Sequence, residues 1–269
     1  MADQKDVVER LNFAREIARE AGKFTLGYFR RSDLQIDRKQ DETPVTAADR
    51  GAEELLRDRI AKRFPTDAII GEEFGEQPGS TAYQWIVDPI DGTKSFIHGV
   101  PLYSNLVAVL RDGQPLIGVI NVPALSEQLY ASKGGGCWYA NGAGAEPKRA
   151  QVSTVSKLSE SLFLTSEVVS FTTQRKEDTV DVYLKLQRAA RLSRTWGDAY
   201  GYVMVATGRA EIMIDPIAEI WDLAPLQTVI EEAGGFFCDW EGKPTIHARE
   251  SIATNGRVTE EVLAVTRGR

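Results

Sequence analysis

The chain has 269 residues, 42% of them hydrophobic and 26% charged, with a formal net charge of -7. Such a chain can bury a full core as one compact unit, and its acidic balance excludes a general grip on nucleic-acid backbone or an anionic membrane surface. The N-terminal stretch MADQKDVVERLNFAREIAREAGKF lacks the apolar core of a signal peptide, and no apolar run approaches the roughly 18 residues that span a bilayer. Cys137 and Cys238 stand far apart with no CxxC, which argues against a disulfide framework and fits a reducing cytoplasm.

Val7, Leu11, Ala14, Ile17, Ala18, Ala21, Phe24 and Tyr28 recur at steps of three and four and predict a long amphipathic helix. Arg30 to Thr46 reads as a polar hairpin or loop. A second helix is expected after Asp49, with Ala52, Leu55, Leu56, Ile60 and Phe64 inward and Pro65 ending it. Ala68 to Ile70 then forms a strand that runs into Gly71-Glu72-Glu73. Further strands are expected at Trp85 to Val87, Asn105 to Leu110, Leu116 to Val122 and Gln128 to Ala131, giving an antiparallel-looking sheet. After about Val152 the texture alternates: a strand at Leu162 to Thr165, helices near Val180 to Arg191 and Tyr200 to Thr207, a strand at Glu211 to Ile214, a helix from Asp222 to Glu232, and a strand at Phe236-Phe237 after Gly234-Gly235. This layout implies stacked sheet and helix layers in one unit.

Chemistry concentrates in WIVDPIDGTKSFIHGV, Trp85 to Val100. An apolar strand breaks into Asp88 and Asp91, two carboxylates at a chain reversal that repel each other unless a cation sits between them. Glu72 ends an earlier strand with the same apolar-to-acidic switch, so pairing of the two strands brings three carboxylates together. Magnesium takes such oxygen ligands along with water and substrate phosphate, and the Ile90 carbonyl, turned out after Pro89, could add another. Gly92-Thr93 opens a short helix whose free first amides suit an anion. Asp222 and Asp49 each start a helix, and each reads either as an N-cap or as a member of the acidic group. There is no GxGxxG, GxxxxGK[ST] or GxSxG. His98 and His247 show no zinc spacing, and His98 reads as a helix C-terminal residue before Gly99.

Glu72-Glu73, Asp88-Pro89-Ile90-Asp91-Gly92-Thr93, and Trp221-Asp222-Leu223-Ala224-Pro225 followed by Glu232-Ala233-Gly234-Gly235 resemble the three signature segments of the inositol monophosphatase superfamily, in order and spacing over nearly the whole chain. The resemblance implies an αβαβα layered sandwich and a magnesium-dependent phosphomonoesterase, often a homodimer. Its two lobes would be a metal- and phosphate-binding part to about residue 150 and a specificity part over 151–269. It also implies that Glu72, Asp88, the Ile90 carbonyl, Asp91 and Asp222 hold two or three magnesium ions, and that the Gly92 and Thr93 amides bind phosphate. Asp49, paired with the Thr93 hydroxyl, would join Glu72 in orienting and deprotonating the attacking water. The family's basic residue in the N-terminal loop falls near Arg38 and Lys39, with neither singled out.

Asp198 and Asp215, beyond the metal ligands, suit a cationic leaving group, with Asp91 also beside the substrate. The alternative for Asp198 is a cap on the helix at Tyr200. The segment Arg194 to Tyr202, with DPIDGTKSF, resembles the histidinol-phosphate phosphatases of the superfamily. A broad inositol-type monophosphatase comes second. A 3′,5′-bisphosphate nucleotidase, suggested by Lys94 in DGTK, comes third because Asp198 would repel a second phosphate. The contrasting class, a non-enzymatic metal-binding protein on the same fold, is disfavoured because every motif position is filled. The expected partner is a small-molecule phosphate ester, not nucleic acid or membrane.

Overall fold

The computed structural model describes residues 2–39, 43–172 and 179–268. In chain order its elements begin with α1 (Ala2–Leu26), the hairpin strands β1 (Ile36–Arg38) and β2 (Pro44–Thr46), and α2 (Ala47–Arg63). Next come β3 (Ala68–Gly71), β4 (Gly75–Gln77), β5 (Tyr83–Asp91), α3 (Thr93–Ile97), β6 (Ser104–Arg111), β7 (Gln114–Val122), β8 (Glu127–Ser132), β9 (Gly136–Asn141) and β10 (Lys148–Arg149). The rest are β11 (Leu162–Leu164), α4 (Val180–Ala189), β12 (Leu192–Arg194), α5 (Ala199–Ala206), β13 (Ile212–Asp215), α6 (Ile220–Glu232), β14 (Phe236–Cys238), β15 (Ser251–Thr254) and α7 (Thr259–Arg267).

Strands β3 to β10 form one eight-stranded sheet in the order β10-β9-β8-β7-β6-β5-β3-β4, and β11 to β15 form a five-stranded sheet in the order β12-β11-β13-β15-β14. Successive strand residues point to opposite faces, and here both faces are buried. Trp85 and Val87 of β5, with Val107, Val109, Ile117 and Val119, pack under α1 and α2 against Ala14, Ile17, Ala18, Ala52, Leu56 and Ile60. Ile86, Leu106, Ala108 and Ile120 on the opposite face meet α5, α6 and the near face of the second sheet through Val203, Leu223, Leu226, Met213 and Ala253. Phe163, Ile212, Ile214 and Ile252 on its far face pack on Val182, Leu186, Val262 and Leu263 of α4 and α7. Three apolar cores between five layers make an αβαβα sandwich. Gly118 shows how closely the layers approach: a Cβ there would sit 2.1 Å from the Pro225 carbonyl oxygen of α6.

Two sequence expectations change, and a third is resolved. The larger sheet is antiparallel except where β3 runs parallel to β5. Helix α2 starts two residues before Asp49, because Thr46 is its N-cap, and Leu55 of its expected inner face is only half-buried. The polar stretch from Arg30 does form the β1-β2 hairpin, with Ile36 opposite Thr46, and residues 40–42 lie outside the described residues. Strand β15 and helix α7 went unpredicted. Ser251–Thr254 is short and buried throughout, without alternation to betray it, whereas Val258, Val262 and Leu263 carried a helical spacing that was there to be read. Among the described residues no helix is long and apolar enough to cross a membrane.

Candidate active site

The parallel pairing of β3 with β5 builds the first part of the site. Gly71 lies opposite Val87, so Glu72 and Asp88 leave adjacent strands at the same level. The register of β5 against β6 shifts between Asp88 and Asp91. That bulge turns both carboxylates to one end of the strand instead of to opposite faces. Asp88 Oδ1 accepts the Ile90 amide at 2.9 Å, which tightens the bulge. Asp91 Oδ2 accepts Ser104 Oγ at 2.8 Å and the Ala199 amide at 2.9 Å.

Helix α6 brings the third carboxylate. Asp222 is the third residue of that helix and not its N-cap; Glu219 is, and Asp222 Oδ2 accepts the Glu219 amide at 2.7 Å. Asp49 repeats the arrangement in α2, with Oδ2 accepting the Thr46 amide and hydroxyl, each at 2.7 Å. Each aspartate therefore uses one oxygen to cap its helix and keeps the other for the site. Asp88, Asp91 and Asp222 each offer an oxygen within 4.8 Å of the others.

Burial pushes Asp88 and Asp91 well above the ordinary carboxylate range. For Asp88 the neighbouring Glu72, Asp222 and Asp91 charges add to it; for Asp91 the additions come from Asp198 and Asp222. Burial likewise carries Asp222 up to about 7, eased by the Glu219 amide and aggravated by Glu72. Without a cation such carboxylates can keep only part of their charge. An all-oxygen, all-anionic donor set of this kind could hold a hard divalent ion.

Thr93 Oγ1 lies 3.1 Å from the Ile90 carbonyl and 3.3 Å from Asp49 Oδ1, so the hydroxyl spans the bulge and α2. Burial raises the pKa of Asp49, against the Thr46 hydrogen bonds and with help from Glu72. Gly92 is the N-cap of α3 at φ 80°, and a Cβ there would meet Asp198 Oδ2 at 2.6 Å. Glycine is required on both counts. His98 ends α3 as expected, its Nδ1 2.9 Å from the Lys94 carbonyl.

The second half places Asp198 beside this group. It occupies the N-cap position of α5 at φ 39°, ψ -150°, yet its side chain accepts no helix amide. Capping by Asp198 is thus corrected: the Ala199 amide goes to Asp91. The Asp198 carboxylate instead lies 3.5 Å from Ser95 Oγ, and burial raises its pKa against the opposing pull of Lys94. Asp215 ends β13 with Oδ1 taken by Ser166 Oγ at 2.6 Å and Oδ2 by Tyr202 OH at 2.8 Å. Burial lifts its pKa to about 6, with those two hydroxyls opposing. Lys94 pairs with Glu167 at 2.8 Å on the exposed rim.

The sequence reading left Lys39 unassigned and missed Glu53. Lys39, indistinguishable there from Arg38, sits 2.7 Å from Glu72 and 2.6 Å from Glu73. Burial pulls its ammonium pKa down, and these carboxylates outweigh that and raise it. Glu53, fully buried on α2, accepts the Glu73 amide at 2.7 Å and the Phe74 amide at 3.2 Å, and so holds the turn that carries Glu72. Its spacing of four from Asp49 put both on one helix face, a signal that was available.

The profile of the inositol monophosphatase family matches residues 6–268. The histidinol-phosphatase of Chlorobaculum parvum is 43% identical over 255 residues, 94% of this chain and 95% of that protein. The histidinol-phosphatase of Mycobacterium tuberculosis is 38% identical, covering 94% of this chain and 96% of its own. The solved structure of a Thermotoga maritima IMPase superposes with a TM-score of 0.85 at 31% identity, covering 97% of each chain. The chain belongs to the inositol monophosphatase family, and with it to the phosphoric monoester hydrolases.

Proposed function

We propose that this protein is a magnesium-dependent phosphomonoesterase whose principal substrate is L-histidinol phosphate. The observation that carries the reading is the convergence of Asp88, Asp91 and Asp222 beside the Thr93–Asp49 pair. Relatives named histidinol-phosphatase support the substrate. Glu72, Asp88, the Ile90 carbonyl, Asp91 and Asp222 would hold two or three magnesium ions. When bound, magnesium supplies Lewis acidity, acidifying water and neutralising charge on phosphoryl and leaving-group oxygens.

The protein's own groups do the rest. The Gly92 and Thr93 amides at the start of α3 bind the phosphate oxygens. Thr93 Oγ1 orients the attacking water and hands its proton to Asp49 Oδ1, where the raised pKa favours holding it. Glu72 aids the same deprotonation from the end of the adjoining strand β3. The water oxygen bonds to phosphorus as the bond from phosphorus to the ester oxygen breaks, and that oxygen takes a proton from solvent to leave as the alcohol, so no protein nucleophile is required. Lys39 is the basic loop residue we assign beside Glu72.

Asp198 reads the ammonium or imidazolium of the leaving group. Its backbone lies in a region that is strained for any residue but glycine, and its side chain stabilises no helix end. An aspartate kept there under strain is accounted for by contact with substrate. One observation favours the second reading, a broad inositol-type monophosphatase: both Asp215 oxygens are already bonded, which weakens that residue as a partner for a cation. From family resemblance we also read the working unit as a cytoplasmic homodimer. The lobes to about residue 150 and from 151 share the metal site, since Asp222 joins it from the second. Phosphate release from histidinol phosphate, assayed with magnesium and again with EDTA, tests the reading. Release only with magnesium is expected, and metal-independent or absent release would overturn it.

A further inference from the structure

The face of the larger sheet under α1 is largely apolar, and a polar row crosses it. Asn105, Asn121 and Gln128 are direct cross-strand neighbours on β6, β7 and β8. All three are buried, on the face that otherwise presents Val107, Val109, Ile117, Val119 and Tyr130. Helix α1 closes over them: a Cβ at Gly22 would lie 2.4 Å from Asn121 Nδ2 and 2.9 Å from Asn105 Oδ1. Three amides sealed from water in such a place cost stability unless each is hydrogen-bonded.

They are bonded in one direction. Gln128 Nε2 donates to the Arg15 carbonyl at 3.0 Å and to Asn121 Oδ1 at 3.4 Å; Asn121 Nδ2 donates to Asn105 Oδ1 at 3.0 Å; Asn105 Nδ2 donates to the Pro89 carbonyl at 2.7 Å. A carbonyl can only accept, so the two ends fix the orientation of every amide between them. The chain of donors therefore terminates on the Pro89 oxygen, inside the bulge between Asp88 and Asp91.

Resting on the metal reading above, we propose that Asn105 is a positioning residue for the metal site. It pins the Pro89 carbonyl inward beneath the bulge. The amide of that same peptide, Ile90 N–H, is held by Asp88 Oδ1, and the next peptide is fixed by Thr93 Oγ1 on the Ile90 carbonyl. With one carbonyl held inward and the next held toward Thr93, the backbone from Asp88 to Asp91 has one conformation, and both carboxylates arrive preset. Asn121 holds Asn105, Gln128 holds Asn121, and their side chains bond no group of the site.

Titration of the full-length protein with Mn2+, following free ion by electron paramagnetic resonance, tests this against thermal midpoints measured without metal. Asn105→Leu should weaken Mn2+ binding by about 10- to 100-fold, the range for lost outer-sphere partners. Asn121→Leu, one link away, should lower the metal-free midpoint comparably and leave Mn2+ affinity within about twofold, since it removes no partner of the bulge. If Asn105→Leu does not fold, Asn105→Ala is smaller under α1 and likewise has no group to donate to Pro89. A loss of affinity there again supports the assignment. Unchanged affinity in a folded Asn105 variant, or equal losses in the Asn105 and Asn121 variants, would overturn it. A wild-type protein that takes up no Mn2+ would instead overturn the metal reading itself, and the assignment with it.

Discussion

The two sheets contribute to the site in contrasting ways. In the larger sheet a long strand buried over most of its length, β5, ends in a bulge that sets Asp88 and Asp91 three residues apart, with Glu72 on the adjoining parallel strand. In the smaller sheet the relevant groups come from separate short pieces: Asp215 at the end of β13, Ser166 beyond β11, and Asp198 beyond β12. The first arrangement is made by the ends of two adjoining strands and, on the proposed reading, serves any phosphate ester. The second is made by loops at strand ends, whose composition can change without disturbing the Asp88, Asp91 and Asp222 cluster. On the proposed reading, the layered fold lets constant chemistry and variable recognition be kept apart.

The largest effect should come from the constant side. Asp91→Asn removes a charge from the acidic group while keeping an oxygen for Ser104 and Ala199. Turnover should fall by about 10²–10³ or more on every ester, with an unchanged circular dichroism spectrum. A loss confined to one substrate would break the division between the two regions.

On the variable side the expected effect is smaller and selective. Asp198→Ala should raise the Michaelis constant for histidinol phosphate by roughly ten- to a hundredfold, the worth of one charged hydrogen bond. Inositol 1-phosphate should be affected little, and parallel losses on both esters would make Asp198 structural.

Acidity sharpens the contrast further. The native pKa of Asp222, about 7, lies above its ordinary value of 3.8, and Asp88 and Asp91 shift the same way. The metal-free native state therefore binds more protons than the unfolded chain between those limits, and its stability falls as pH rises through them. Scanning fluorimetry in EDTA should show the midpoint dropping from about pH 4 toward pH 7. Magnesium should restore more of it at the upper end than at the lower. A midpoint in EDTA that rises over that window would contradict the assignment of these carboxylates.

The smallest effect is on stability. Asp198→Gly relieves a backbone strain of about 1 kcal/mol. It should raise the midpoint by about 2–4 °C while weakening histidinol phosphate as Asp198→Ala does. A lowered midpoint would mean that the Asp198 side chain supports the fold.

The same division decides what could be read from the sequence. Glu72, Asp88, Asp91 and Thr93 were legible because strand termini, turn residues and carboxylates fall within short segments, and the order of three such segments identified the fold. The roles of Asp49 and Asp222 as third residues of capping boxes were not, because Thr46 and Glu219 had to be seen as the caps. Lys39 could not be separated from Arg38 by position; only the pairing of β1 with β2 and the reach to Glu72 distinguish them. The bonding of Asp215 to Ser166 and Tyr202 joins residues 49 and 13 positions apart and leaves no local trace.

The most direct test of the central claim is kcat/KM of the wild-type protein at fixed magnesium for histidinol phosphate, inositol 1-phosphate and adenosine 3′,5′-bisphosphate. A preference for histidinol phosphate of about tenfold or more, equivalent to about 1.4 kcal/mol, is the predicted result. Equal rates, or a preference for inositol 1-phosphate, would contradict it and leave the Asp198 region without a role in recognition.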